Sequence, residues 1–359
     1  MMSYDNDSPK RYDFLDNLKW VLTIFVILHH AAAAAGLDPI GFNLPKVIPS
    51  AAWQYDVLGA FQTNNQSFFM GIFFFISALF VVSSYQRKGA TLFIVDKFKR
   101  LGIPTLIWLF ILLPLLSLSY AFNNIIGVFR TAQIDLGVTW FCWTLIVFNL
   151  MWVLWIKLTR KPIGALQAKP IPSMWKILFF GIIMIPFNLL GLYLQNRWGE
   201  NFLGFHLLGF FPMYIVMFFL GVYAYQCKWL DQIEFKHAFF GIVLWIVVRA
   251  YLTPALSGYH INANVALRGF TVIGMSLFLI YSFKLLFNHK SKWTTILSRT
   301  AFAAYVFQTP FLFMTTKIYQ PMMTQVPLFN FLVIAIPAVI FSFFFGYLIC
   351  KTPLLNRVF

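Results

Sequence analysis

Acidic residues are scarce in this chain: eleven Asp and Glu stand against 27 Lys and Arg in 359 residues, and charged side chains make up only 11%. A soluble domain carries roughly a quarter of its residues charged, so this class is excluded. Cysteine is nearly absent. Cys142, Cys227 and Cys350 have neither the spacing of a disulfide framework nor that of a metal site, and they read as small apolar packing residues. There is no internal repeat and no room between the apolar runs for a large soluble domain. No basic helix or reading motif stands apart from those runs, so the net charge of +16 does not point to nucleic acid.

What is abundant is apolar surface. The hydrophobic fraction is 60%, with 44 Phe and 12 Trp. In a bilayer such side chains face lipid, pack between helices or anchor at the headgroups. A span needs about 20 mostly apolar residues. That ruler marks ten segments, near 18–36, 66–84, 101–122, 139–158, 175–194, 206–226, 238–254, 264–287, 300–318 and 327–350. The seventh is the weakest, because Arg249 lies inside it and Pro254 ends it. The expected fold is an all-α polytopic membrane protein, a single integral-membrane domain over 1–359.

With the N-terminus inside, all but six of the 27 basic residues fall on inner segments; the six are Lys46, Arg130, Arg197, Arg249, Arg268 and Lys317. By the positive-inside rule both termini are then cytoplasmic, and the number of spans is even. The run Ala31–Ala35 after an apolar stretch resembles a signal-peptide cleavage site, but two histidines in that stretch argue against one. Residues 162–172 (PIGALQAKPIP) read as an inner linker. Residues 86–100 (QRKGATLFIVDKFKR) mix basic and apolar side chains and are expected to lie along the inner interface.

Polar groups inside a membrane are costly, and so they are candidates for function. At about 100° per residue, Lys19 and His30 are nearly eclipsed, offset by about 20°, and Asp16 and Thr23 fall within about 40° of His30. One face of the first helix is therefore a polar stripe, from which His29 points about 100° away. His30 is either a general base able to take a proton from a hydroxyl or a hydrogen-bonded core histidine. No His-x₃-His or Cys/His cluster accompanies it, so no metal is expected. No acidic residue sits deep in an expected span, which counts against a proton-coupled transporter. Any carboxylate orienting His30 must come from an outer loop, with Asp56 and Asp38 as candidates. Arg249 and Arg268 flank the loop holding His260; they either grip a polar acceptor or snorkel to the headgroups. Lys97, Lys99 and Arg100 form a cationic cluster that either binds donor phosphates or is ordinary positive-inside charge.

These segments resemble the bacterial integral-membrane acyltransferases known as acyltransferase family 3. RYDFLDNLKWVLTIFVILHHA (11–31) is similar to the family opening: a leucine-aspartate, a basic residue, ten residues and a histidine. The basic residue here is Lys19 where arginine is usual, and the histidine is His30. MGIFFFISALFVVSSYQRKG (70–89), FKRLGIPTLIW (98–108), TWFCWTLIVF (139–148) and AFAAYVFQTPFL (301–312) resemble further family segments, with Gln308 where many members have histidine. FPMYIVMFFLGVYAYQCKWLD (211–231) is similar to the glucan succinyltransferase branch.

The resemblance implies a bacterial cytoplasmic-membrane enzyme that moves an acetyl or succinyl group from a cytoplasmic acyl-CoA to a hydroxyl of a carbohydrate on the outer face. It implies no permanently bound cofactor, with acyl-CoA as co-substrate and the glycan and lipid bilayer as partners. Lys19, Lys97 and Arg100 would hold donor phosphates, and His30 would be the base. Asp16, Trp140, Arg249, Arg268, Tyr305 and Gln308 would line the cavity or hold the acceptor. The competing reading is a transporter or flippase for a glycan or lipid-linked substrate, which would be expected to show repeats or deep ion-coupling residues.

Overall fold

The computed structural model describes residues 12–37, 52–160, 169–259, 262–353 and 355–359. Among them there is no strand, only one isolated bridge between Gln133 and Phe202. The principal helices are α1 (Asp13–Ala32), α2 (Trp53–Gln66), α3 (Phe69–Leu79), α4 (Val81–Lys97), α5 (Leu118–Thr131), α6 (Trp140–Thr159), α7 (Met174–Trp198), α8 (Phe211–Gln226), α9 (Phe235–Val247), α10 (Arg268–Leu286), α11 (Lys292–Tyr319) and α12 (Pro327–Lys351). Large apolar side chains stand outward on the peripheral helices, as with Phe179, Ile182, Phe187 and Leu190 on α7. With lipid as the outer solvent, such a face costs nothing, while every backbone polar group must be satisfied within its own helix.

Among the described residues, eight helical stretches are long and apolar enough to cross a membrane: Asp13–Ala35, Val81–Leu116, Gly137–Thr159, Met174–Trp198, Leu208–Gln226, Phe235–Ser257, Arg268–Leu286 and Pro327–Lys351. Two of the ten expected segments are helical but do not meet that standard. The one near 66–84 is interrupted at Phe80, between α3 and α4. The one near 300–318 lies within the 28-residue α11, whose Thr, Ser, Gln and Lys content lowers its mean hydropathy. α11 is nonetheless embedded, packed against α1 and α12.

The third expected span shifts. Helix ends at Ser117, whose side chain caps the following α5 by accepting from the Tyr120 N–H. The stretch 86–100, expected along the inner interface, is helical with a break at Gly89 (φ 71°) and runs on into the helix that ends at Leu116. The 27 residues of helix that follow this break, 90–116, rise about 40 Å, beyond a hydrocarbon core of about 30 Å. The charged part can therefore project beyond the bilayer core while remaining helical. Asp96 belongs to this stretch, where ion pairs to Lys88 (2.8 Å) and Arg100 (3.3 Å) neutralise it.

Pro254 was expected to end the seventh span, yet helix persists to Ser257. A π-helical turn, Val248–Leu252, precedes it. The same device stands before Pro104 (turn Phe98–Gly102) and Pro114 (turn Trp108–Leu112). Proline has no N–H and its ring crowds the carbonyl of the preceding turn. Widening that turn relieves the clash without breaking the helix.

Two ends of the bundle are defined by long-range hydrogen bonds. At one, the Asn17 amide of α1 donates to the carbonyls of Phe287 (2.7 Å) and His289 (3.1 Å), just past the end of α10. The Lys284 ammonium donates to the Leu230 and Asp231 carbonyls at the same end. At the other, α2 lies against the C-terminal half of α1. The Gln62 amide donates to the His29 carbonyl (3.0 Å) and the Asn65 amide to the Phe25 carbonyl (3.1 Å). α1 and α10 therefore run antiparallel, so the last turn of α1 and the first of α10 share an end.

Candidate active site

At the Asn17 end, the Lys19 ammonium pairs with Asp16 at 3.1 Å and lies 4.8 Å from the centre of the Phe80 ring. Asp16 stands fourteen residues before His30, about 21 Å along the helix axis, so its pair with Lys19 and the histidine sit toward opposite ends of α1. Thr23 donates to the Lys19 carbonyl (3.0 Å) and is buried; its hydroxyl is consumed by its own helix. The stripe drawn from helical periodicity is thus divided into a charged pair at one end and a histidine at the other.

The second basic group is built around Asp96, with Lys88 and Arg100 paired to it and the Lys97 ammonium 5.2 Å from the Phe93 ring centre. Lys99 and Arg100 are exposed. The two basic groups stand on separate elements, Lys19 on α1 and Lys97 at the end of α4 with Arg100 just beyond it.

At the other end, the His29 and His30 rings are 5.4 Å apart and nearly perpendicular, at 89°. His29 packs 5.3 Å from Phe69 and its Nδ1 is buried without a partner. It lines a cavity of about 370 Å³ together with Gln62, Gln66, Gln195, Phe210, Arg249, Asn262, Asn264 and Arg268. Arg249 donates through Nε to Asn64 Oδ1 (2.7 Å) and through Nη1 to Asn264 Oδ1. Arg268 is 3% exposed, its guanidinium lies over the Phe210 ring, and its Nε and Nη1 are buried without hydrogen-bond partners. Both arginines line the cavity, and Arg268 is buried.

His30 is half-buried and stands outside the lining of this cavity. On its side lies His206, within electrostatic range. The His206 Nδ1 is 2.7 Å from Asn201 Oδ1, and its ring centre is 5.8 Å from that of Trp140. Burial lowers the His206 pKa, while Asp135 and Glu200 oppose the shift. Asp135 is itself held by the Tyr120 hydroxyl (2.9 Å) and the Gly137 N–H (2.7 Å). Burial, with Asp135 beside it, pushes the Tyr120 hydroxyl up to about 12.

Asp56, proposed from sequence to orient His30, is exposed on α2, and the carboxylates of this region act on His206 instead. Asp38 and His260 lie outside the described residues. Among the described residues, no three of His, Cys, Asp and Glu cluster as a metal site would require.

Trp140, Tyr305 and Gln308, expected along the cavity, do not line it. Trp140 stacks on Tyr214 with centres 5.7 Å apart, and Tyr305 donates to the Val138 carbonyl. Gln308 donates to the Tyr305 carbonyl (2.9 Å), leaving its Oε1 buried and unpartnered. Of the three, Trp140 stands beside His206, its ring packed with Tyr214 as aromatic faces of this size favour. Sequence reasoning missed His29, set aside because it points away from the stripe; it also missed His206 and the glutamines. His206 sits in a loop with no periodicity to mark it. The glutamines lie on α2 and α7, and only tertiary packing brings them together.

Residues 12–351 match the model of a family described as an acyltransferase domain. Among curated proteins and among solved structures, nothing matches the chain.

Proposed function

Because the chain belongs to this acyltransferase family, we propose that it transfers an acyl group from a cytoplasmic acyl-CoA to a carbohydrate hydroxyl on the outer face of a bacterial cytoplasmic membrane. The observation that carries this reading is the arrangement at one end of the bundle. His29 lines, and His30 stands beside, a cavity walled by two arginines and several side-chain amides, a lining suited to a hydroxylated ligand. Positive-inside charge supports the orientation: the Lys19 end carries the basic clusters and takes the cytoplasmic side, with both termini. The cavity then opens toward the outer half.

In the proposed transfer, the acceptor hydroxyl oxygen attacks the thioester carbonyl carbon. His30 takes the hydroxyl proton as the C–O bond forms. The C–S bond breaks, and the imidazolium returns the proton to the departing thiolate, so that CoA leaves as the thiol. His29 and the cavity amides position the acceptor, and His206 fixes the electrostatic surroundings of His30. The Lys88–Lys97–Arg100 group and Lys19 suit the phosphates of CoA. Lys19 and His30 are eleven residues apart, about 16 Å of helix rise, which the flexible arm between phosphate and thioester must cover.

The test is thioester consumption from acetyl-CoA and succinyl-CoA by purified protein in nanodiscs. His30→Gln, with its fold retained, should lose about 10²–10⁴-fold in rate. Equal rates in variant and wild type would remove His30 as the base. No binding or turnover of any acyl-CoA would favour transport instead.

A further inference from the structure

We propose that the cavity at the His29 end binds an oxyanion, a carboxylate or phosphoryl group, seated on the Arg268 guanidinium. The assignment of the cavity as a substrate site rests on the acyl-transfer reading; its charge preference rests on the residues alone. Arg268 is 3% exposed, and two of its nitrogens are buried with no acceptor. The Phe210 ring covers its face, but a ring face cannot accept from the edge N–H groups that make arginine a two-pronged donor. Arg249, within electrostatic range of Arg268, spends Nε and Nη1 on the neutral oxygens of Asn64 and Asn264. Two guanidinium groups therefore wall one cavity of about 370 Å³, and among the described residues no Asp or Glu lines it.

Leaving a buried charge uncompensated is strongly unfavourable. An oxyanion in the cavity that both arginines line supplies the negative charge otherwise missing there, through the guanidinium edge turned to the cavity. The rest of the lining (Gln62, Gln66 and Asn262 among it) is neutral and hydrogen-bonding, suited to hydroxyl groups around the anion. The ligand class is thus a small hydroxylated acid. Its charge comes either from an acidic group of the acceptor or from the free carboxylate of a dicarboxylic acyl group.

The experiment measures binding to the full chain in nanodiscs by calorimetry, with D-glucuronate, D-glucose, inorganic phosphate and succinate as probes. A parallel arm compares turnover of succinyl-CoA with acetyl-CoA. If the anion belongs to the acceptor, glucuronate binds about tenfold or more tightly than glucose, and Arg268→Gln abolishes the difference. If it belongs to the acyl group, succinate binds, succinyl-CoA is preferred by a similar factor, and Arg268→Gln erases that preference. Should Arg268→Gln fail to fold, Arg249→Gln removes the second charge and is expected to weaken the anion preference in the same direction. Equal binding of charged and neutral probes with no donor preference overturns the proposal, as does a preference that survives substitution of the arginines. Probe binding requires no turnover, so an inactive His30→Gln or an absent transferase activity is told apart from a failure here.

Discussion

Gly274→Ala tests whether the crossing of α9 and α10 holds the cavity in shape. A methyl group built on Gly274 meets the Gly241 carbonyl oxygen at 2.6 Å, about 0.8 Å short of the 3.4 Å at which ordinary contact begins. The obstacle is reciprocal, because a methyl on Gly241 strikes the Gly274 carbonyl. Both obstructing atoms are backbone, so no side chain can swing aside; the helices must separate. Overpacking of this kind costs about 1–3 kcal/mol, and membrane helices depend on small residues for close approach. The consequence reaches the site. Arg268 begins α10 six residues before Gly274, about 9 Å along its axis, and Arg249 lies eight residues beyond Gly241, about 12 Å. A displacement near 1 Å at the walls can lower turnover by about 10². The assay is thermal unfolding in nanodiscs paired with thioester turnover. Gly59→Ala on α2 serves as the control, since nothing stands within 4 Å of a methyl there. The variant should melt lower and turn over more slowly, while the control matches wild type or gains up to about 1 kcal/mol from helix propensity. Wild-type stability in Gly274→Ala, or an equal loss in the control, would refute the reasoning.

Two further outcomes are expected. Lys19→Ala mainly raises the KM for acyl-CoA and leaves kcat within a few-fold, whereas His30→Gln lowers kcat; steady-state kinetics with varied donor separate the two, and equal loss of donor affinity in both variants would undo that division. His206 has a folded pKa depressed below its ordinary 6.5 by burial, with Asp135 and Glu200 opposing. Its neutral form is therefore favoured in the fold, and its contribution to stability is intact above about pH 6.5 and lost as pH falls below it. Melting temperatures at pH 7.5 and 5.5 should differ less in His206→Gln than in wild type, and an unchanged difference would exclude this residue as a source of the acid sensitivity.

The membrane architecture was legible in the sequence because lipid imposes a length and a polarity on each crossing segment, and both are local. Thus Met174–Trp198 and Pro327–Lys351 appear in the bare sequence as apolar runs. The persistence of helix through Pro254 was not legible, since a π-turn upstream of the proline rescued it. Arg249 and Arg268 stood out as intramembrane charges, and the family opening marked Lys19 and His30. Periodicity along α1 could rank faces, but it could not say what each face meets. The polar environment assigned to one stripe is divided between opposite ends of the bundle, because Asp16 and His30 are separated by the rise of the helix itself. His29 faces the arginines because α2, α7 and α10 close around it, and His206 arrives from a loop beside Trp140. By itself the sequence determined that the chain is built of apolar helical segments long enough to cross a membrane, and where its charges fall between them. Which histidine meets which wall, and that Arg268 is left buried without an acceptor, was decided only by tertiary packing, because such contacts join residues far apart in the chain and leave no local pattern.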